Sequence, residues 1–128
     1  MQPEKDVIII GAGAAGLSAA QYAARANLKT LLIEEMAAGG QALVIDSLEN
    51  YPGFPEKING ADFSQRMERQ ARNFGVEILN ATVTRVENAD KFFNITTNNG
   101  EFTCYAVILC TGAKHSHIGI PGEKEFTG

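Results

Sequence analysis

The sequence predicts an α/β fold, a parallel sheet continued by an antiparallel meander, and three observations carry it. The apolar run Val7, Ile8, Ile9, Ile10 empties into Gly11-Ala12-Gly13-Ala14-Ala15-Gly16. A second apolar run over residues 30–33 delivers Glu34 and Glu35 to a strand end. Several short strand-like segments then lead to a continuously apolar stretch over 106–110.

The first observation predicts a strand, a tight turn and a helix start. Gly11 lets the backbone turn sharply, Gly13 leaves no side chain between the backbone and a pyrophosphate, and Gly16 lets the helix lie close to the strand. Ala14 and Ala15 belong to the helix N-terminus, where unpaired N–H groups and the positive end of the dipole favour an anion without any basic residue. Leu17, Ala20 and Ala24 supply one small or apolar face, and Asn27 sits where the helix should stop. The pattern is a dinucleotide-binding fingerprint in a Rossmann-like unit.

Glu34 lies close to the offset of roughly 20 residues expected for an acid that binds a ribose. A carboxylate accepts hydrogen bonds from ribose hydroxyls, whereas the extra phosphate of NADP meets like charge and normally calls for an arginine. NADP is therefore disfavoured, and NAD and FAD both remain. Adjacent strand residues point to opposite faces, so Glu35 is either a second ligand or a solvated acid.

Residues 36–59 lose both helical and strand periodicity, which is long for a structureless connection and marks a functional loop. Gly39, Gly40 and Gln41, then Asn50 within Glu49-Asn50-Tyr51-Pro52-Gly53-Phe54-Pro55, offer close backbone approach and side-chain amides suited to a heteroaromatic edge. The alternative is that Gln41 and Asn50 bond their own loop. Phe63, Met67, Ala71 and Phe74 follow at helical spacing as a core stripe, with Gly75 as the stop. Residues 76–79 read as a strand. Three meander strands are predicted over 81–86, 92–96 and 102–104, the last two joined through Asn98-Asn99-Gly100, and 106–110 reads as a further strand buried on both faces. It ends in Thr111-Gly112-Ala113, a second glycine-bearing strand end at the site.

With 128 residues, 45% hydrophobic and 20% charged, the composition is that of one globular domain. A net charge of -4 gives no footprint for nucleic acid or an anionic membrane. No signal peptide or spanning segment is read, so a cytoplasmic location is expected. Cys104 and Cys110 lack C-x-x-C spacing and read as buried small hydrophobes. His115 and His117 have no third ligand nearby, so no metal site is expected.

GAGAAG, LLIEE, GGQ, ENYPGFP, TGA and IPGE, in this order and with the AARANL run, resemble the N-terminal part of bacterial thioredoxin reductases. The resemblance implies the FAD domain of a two-dinucleotide-binding flavoprotein, incomplete here, with residues 1–113 its first segment and 114–128 the start of a linker to an NADPH-binding domain. It implies that Gly11, Gly13 and Gly16 hold the pyrophosphate and Glu34 the adenosine ribose of FAD. Gly40, Gln41 and Asn50 would line the phosphate and flavin side, Val83 would meet the adenine through its backbone, and Thr111 and Gly112 would close over the diphosphate. Departures are Cys110, where alanine is common, and His115-Ser116-His117, where a proline and a basic residue are common.

The resemblance further implies electron flow from NADPH through FAD to a dithiol and on to thioredoxin, in a homodimer. The redox-active C-x-x-C is not in this sequence, so no catalytic residue is assigned and the chain alone is expected to be inactive. The alternatives are the FAD domain of a related ferredoxin or flavodoxin NADP reductase or of an alkyl hydroperoxide reductase flavoprotein, or a stand-alone FAD-binding module.

Overall fold

The structure, a computed structural model, describes residues 2–114 and 116–126. Its elements are β1 (Lys5–Ile10), α1 (Ala14–Arg25), β2 (Thr30–Glu34), α2 (Gly60–Asn73), β3 (Glu77–Asn80), β4 (Val83–Asn88), β5 (Phe93–Thr97), β6 (Gly100–Leu109) and the single turn α3 (Glu123–Phe126), with a 3₁₀ turn over Gly40–Val44. The six strands form one sheet in the order β3-β2-β1-β6-β5-β4. The pairs β1–β2, β2–β3 and β1–β6 are parallel, whereas β5–β6 and β4–β5 are antiparallel. The mixed sheet is thus the expected α/β architecture.

Local chemistry accounts for the first half. Ile8 and Ile9 are fully buried and Val7 nearly so, because β1 is central and covered on both sides. In α1 the buried residues are Gly16, Leu17, Ala20 and Ala24, and the helix is stopped by Asn27 at φ 62°, whose N–H donates to the Ala24 carbonyl. In α2 the Asn59 side chain accepts from the Asp62 N–H as N-cap, and Gly75 at φ 92° ends the segment. One core layer packs α1 and α2 against β1 and β2 through Leu17, Ala20, Ala71, Val7, Ile9 and Leu32. The other packs the meander against the opposite side through Ile8, Ile10, Leu31, Ile33, Ile95 and Cys104.

Three features differ from the sequence reading. The segments 102–104 and 106–110 are one ten-residue strand, β6, whose first half pairs with β5 and whose second half runs parallel to β1. No glycine or proline interrupts it, so a single extended segment serves both ladders. The loop of its hairpin is Asn98-Asn99, without the Gly100 that the sequence reading included, since Thr97 pairs with Gly100 and the Thr97 hydroxyl accepts the Asn99 N–H and donates to the Gly100 carbonyl. The second half of β6 is also not buried on both faces: Tyr105 and Leu109 are 51% and 68% exposed. The helix-side core is built on β1 and β2 and takes in no residue of β6.

The expected core stripe of α2 holds at Phe63 and Ala71, both buried, and at Met67, which packs against the helix-side core; Phe74, at the C-cap, is instead exposed. Phe63 also explains the long loop. Tyr51 and Phe54 stand edge-on to it with ring centroids 4.7 and 5.6 Å away, and the loop neck is closed by reciprocal backbone bonds between Leu48 and Ile58. No helix among the described residues is long and apolar enough to cross a membrane.

Candidate dinucleotide-binding site

The parallel strands β1, β2 and β6 end on one side of the sheet, and there a cleft of about 620 Å³ opens between the glycine turn, the end of β2, the Gly39–Gln41 turn and the 111–113 strand end. A crevice at the carboxyl ends of parallel strands, where the chain leaves β1 in one direction and returns on its other side in β6, is where open α/β sheets bind ligands.

The three glycines of the turn have different tasks. Gly11 has φ 103°, and a Cβ there would overlap the Cys110 carbonyl. A Cβ on Gly16 would overlap the Gly11 carbonyl oxygen, so α1 can sit this close to β1 only with glycine. Gly13 is unlike both. Its φ of -72° is ordinary, and a Cβ would meet only the Gly40 Cα, 4.0 Å away, projecting into the gap between the two loops. Gly13 is also the N-cap of α1 without a side-chain cap, and the first turn carries no acid, so nothing on the helix competes with an anion for its N–H groups.

Glu34 does more than stand at a strand end. Its Oε2 accepts the Ala12 N–H at 2.7 Å and its Oε1 accepts the Met36 N–H at 3.0 Å. The carboxylate therefore ties the glycine turn to the end of β2, and each oxygen keeps lone-pair capacity for a hydroxyl donor. Glu34→Gln should lower stability even without ligand, by roughly 1–3 kcal/mol, because an amide NH₂ would face a backbone N–H donor. Melting of the variant in the absence of any nucleotide checks this; an unchanged midpoint would refute the clamp.

The remaining walls come from distant segments. Gly39 donates its N–H to the Ala12 carbonyl at 2.7 Å, which sets Gly40 opposite Gly13. Gln41 Nε2 donates to the Ala113 carbonyl at 2.9 Å, joining the two loops across the cleft. Val83, Thr111 and Gly112 line it, as do Ala14, Ala15 and the exposed Glu35. Gly16 lies behind the wall in α1, and Asn50 is exposed on the aromatic-anchored loop without lining the cleft. Ala42, Ala81 and Ala113 also line it. Nothing in their small apolar side chains marks them in the sequence; they are recruited by position.

Among the lining residues there is no lysine or arginine, while Glu34 and Glu35 both border the cleft. Cys110 is not the deeply buried strand residue expected. It follows β6, is half-buried and lines the cleft, whereas Cys104 is fully buried within β6. Burial pushes both thiols above the ordinary cysteine range, which keeps them protonated and poorly nucleophilic near neutral pH. His117 Nδ1 lies 3.5 Å from the Glu123 carboxylate, and His115 lies outside the described residues.

Comparison with known proteins bears on the family and the fold. Residues 5–128 match the family model described as pyridine nucleotide-disulphide oxidoreductase. Thioredoxin reductase of Treponema pallidum is 57% identical over the whole chain, which covers 42% of that protein, and thioredoxin reductase of Rickettsia prowazekii is 46% identical over 95% of the chain, covering 40% of that protein. Among solved structures, Lactococcus lactis thioredoxin reductase superposes with a TM-score of 0.87 at 41% identity, covering 96% of this chain and 40% of that one. The T. acidophilum enzyme gives 0.85 at 35% identity, with 98% and 41% covered. The chain thus spans about 40% of the length of the relatives it matches, their N-terminal portion. With the glycine turn, the mixed sheet and a match over almost its whole length, this chain belongs to the pyridine nucleotide-disulphide oxidoreductase family.

Proposed function

We propose that the chain forms the first segment of the FAD-binding domain of a flavoprotein disulfide reductase of the thioredoxin reductase type, which takes electrons from NADPH and passes them to a dithiol and then to thioredoxin. The observation that carries the cofactor reading is the gap between Gly13 and Gly40: a Cβ on Gly13 would stand in it, and it opens beside the start of α1 and the Glu34 carboxylate. A diphosphate fits where side chains are missing and helix N–H groups converge. The chemistry of the remaining donors fits the rest of FAD. Glu34 would accept from the adenosine ribose, the Val83 backbone would meet the adenine, and Thr111 and Gly112 would close over the diphosphate from the other side.

FAD, when bound, supplies the two-electron chemistry; these residues hold and orient it. Gln41, now bonded to Ala113, would hold the two loops together around it, and Asn50 would reach the flavin side only if its loop moves. The chain's own cysteines are not the dithiol, since one is fully buried in a strand and the other sits in the cofactor cleft. Residues 114–128 would begin the connection to an NADPH-binding domain. A cytoplasmic homodimer is the assembly that family resemblance supports.

Titration by calorimetry with FAD and with NADP⁺ tests the cofactor reading. FAD should bind more tightly, because the extra phosphate of NADP⁺ would be placed against Glu34 and Glu35 with no basic residue lining the cleft. FAD at 100 times its Kd should also stabilise the chain by about 2.7 kcal/mol if it binds only the folded state. Tighter binding of NADP⁺, or a melting midpoint that FAD leaves unchanged, would overturn the assignment.

A further inference from the structure

Ser64 lies in α2, is 1% exposed, and its Oγ is the buried side-chain polar atom without a hydrogen-bond partner among the described residues. Such a hydroxyl is costly to leave unmade, and alanine at the same place would remove the cost. Its surroundings say where a partner can come from. A Cβ placed on Gly39 would overlap Ser64 Oγ and lie 2.6 Å from Ser64 Cβ, so the hydroxyl rests directly against the Gly39 backbone. Gly39 and Gly40 have φ of 124° and 56° and bear no side chain, and the peptide between them is held by a single long bond, from the Ala42 N–H to the Gly39 carbonyl at 3.2 Å. Beyond that peptide is the cleft, with Gly40 facing Gly13.

We propose that Ser64 is a positioning residue for the cofactor loop: when a diphosphate is seated between Gly13 and Gly40, the Gly39–Gly40 peptide turns, exchanging its bond from Ala42 for one with the Ser64 hydroxyl, which has no other partner among the described residues. Ser64 does not touch the ligand. It stabilises the loop conformation that does, and so favours the bound state alone. The inference rests on the FAD reading above.

The test compares the parent with Ser64→Ala and Ser64→Cys, measuring thermal melting without nucleotide and FAD affinity by titration. Ser64→Ala should melt at or above the parent when ligand-free, because an unsatisfied hydroxyl is removed, yet bind FAD about five- to tenfold more weakly, the loss of one hydrogen bond. Ser64→Cys keeps approximately the volume and exchanges the oxygen for a weak hydrogen-bonding sulfur, so it should also lose FAD affinity. Equal FAD affinity in the parent and Ser64→Ala would overturn the role of Ser64 and leave the FAD reading standing. A Ser64→Ala variant that melts lower without ligand would also overturn it, since the hydroxyl would then be serving the fold in both states. Failure of the parent itself to bind FAD would overturn both.

Discussion

Gly16→Ala is expected to weaken the fold severely. The added methyl would overlap the Gly11 carbonyl oxygen, with the Cys110 Cβ a further 3.5 Å contact. Gly16 is buried within α1, so the helix would have to shift away from β1 and unpack Leu17 and Ala20. Helical propensity would favour alanine by about 1 kcal/mol, which does not offset a clash with backbone. Overpacking of a core ordinarily costs about 1–3 kcal/mol, and at a position with no flexible side chain to give way the loss should reach or exceed the top of that range. Against a total of roughly 5–15 kcal/mol for a typical domain this is a large share, and the midpoint should fall by about 10 °C or more. Circular dichroism melting is the measurement, and a midpoint within a couple of degrees of the parent would show that α1 does not need this close approach.

Gly13→Val should do the opposite, sparing the fold and removing the ligand. The residue's φ of -72° and ψ of -171° are open to valine, and the new Cβ would meet only the Gly40 Cα at 4.0 Å. Valine is a poorer N-cap than glycine, so a stability loss on the order of 1 kcal/mol is expected from that cause alone. Its methyl groups would fill the space beside the α1 N-terminus where the diphosphate approaches. FAD affinity should fall by about 100-fold or more, equivalent to roughly 2.7 kcal/mol. Wild-type affinity in a folded Gly13→Val protein would show that the ligand does not pass between the glycine turn and Gly40. Two glycines three residues apart would thus fail for separate reasons, one by packing and one by binding.

The part of the molecule written most plainly in the sequence is the part whose interactions are local. An unbroken apolar strand, glycines at fixed offsets, a helix face of Leu17, Ala20 and Ala24 and an acid at the next strand end specify β1, α1 and β2 almost without reference to the rest. Gly75 and Asn27 mark helix ends for the same reason, a left-handed residue that the local backbone requires. The meander is legible as alternating strands but not in its division. Whether 102–104 and 106–110 are two strands or one depends on both β5 and β1 lying beside them.

The sequence by itself determined the α/β class and the dinucleotide fingerprint, because each rests on residue types at short fixed spacings, and the family, through the resemblance of its motifs in order. Tertiary structure alone decided that Glu34 holds the Ala12 and Met36 amides, that Gln41 reaches Ala113, that Ser64 rests against Gly39, and that Asn50 lies away from the cleft. It also decided that the apolar second half of β6 stays partly exposed, since the helix-side core is built on β1 and β2. The physical reason is the same throughout. Spacing within a segment fixes which backbone groups turn and which faces bury, but a contact across 72 residues, such as Gln41 with Ala113, exists only once the sheet order has brought the two loops to one end of the strands.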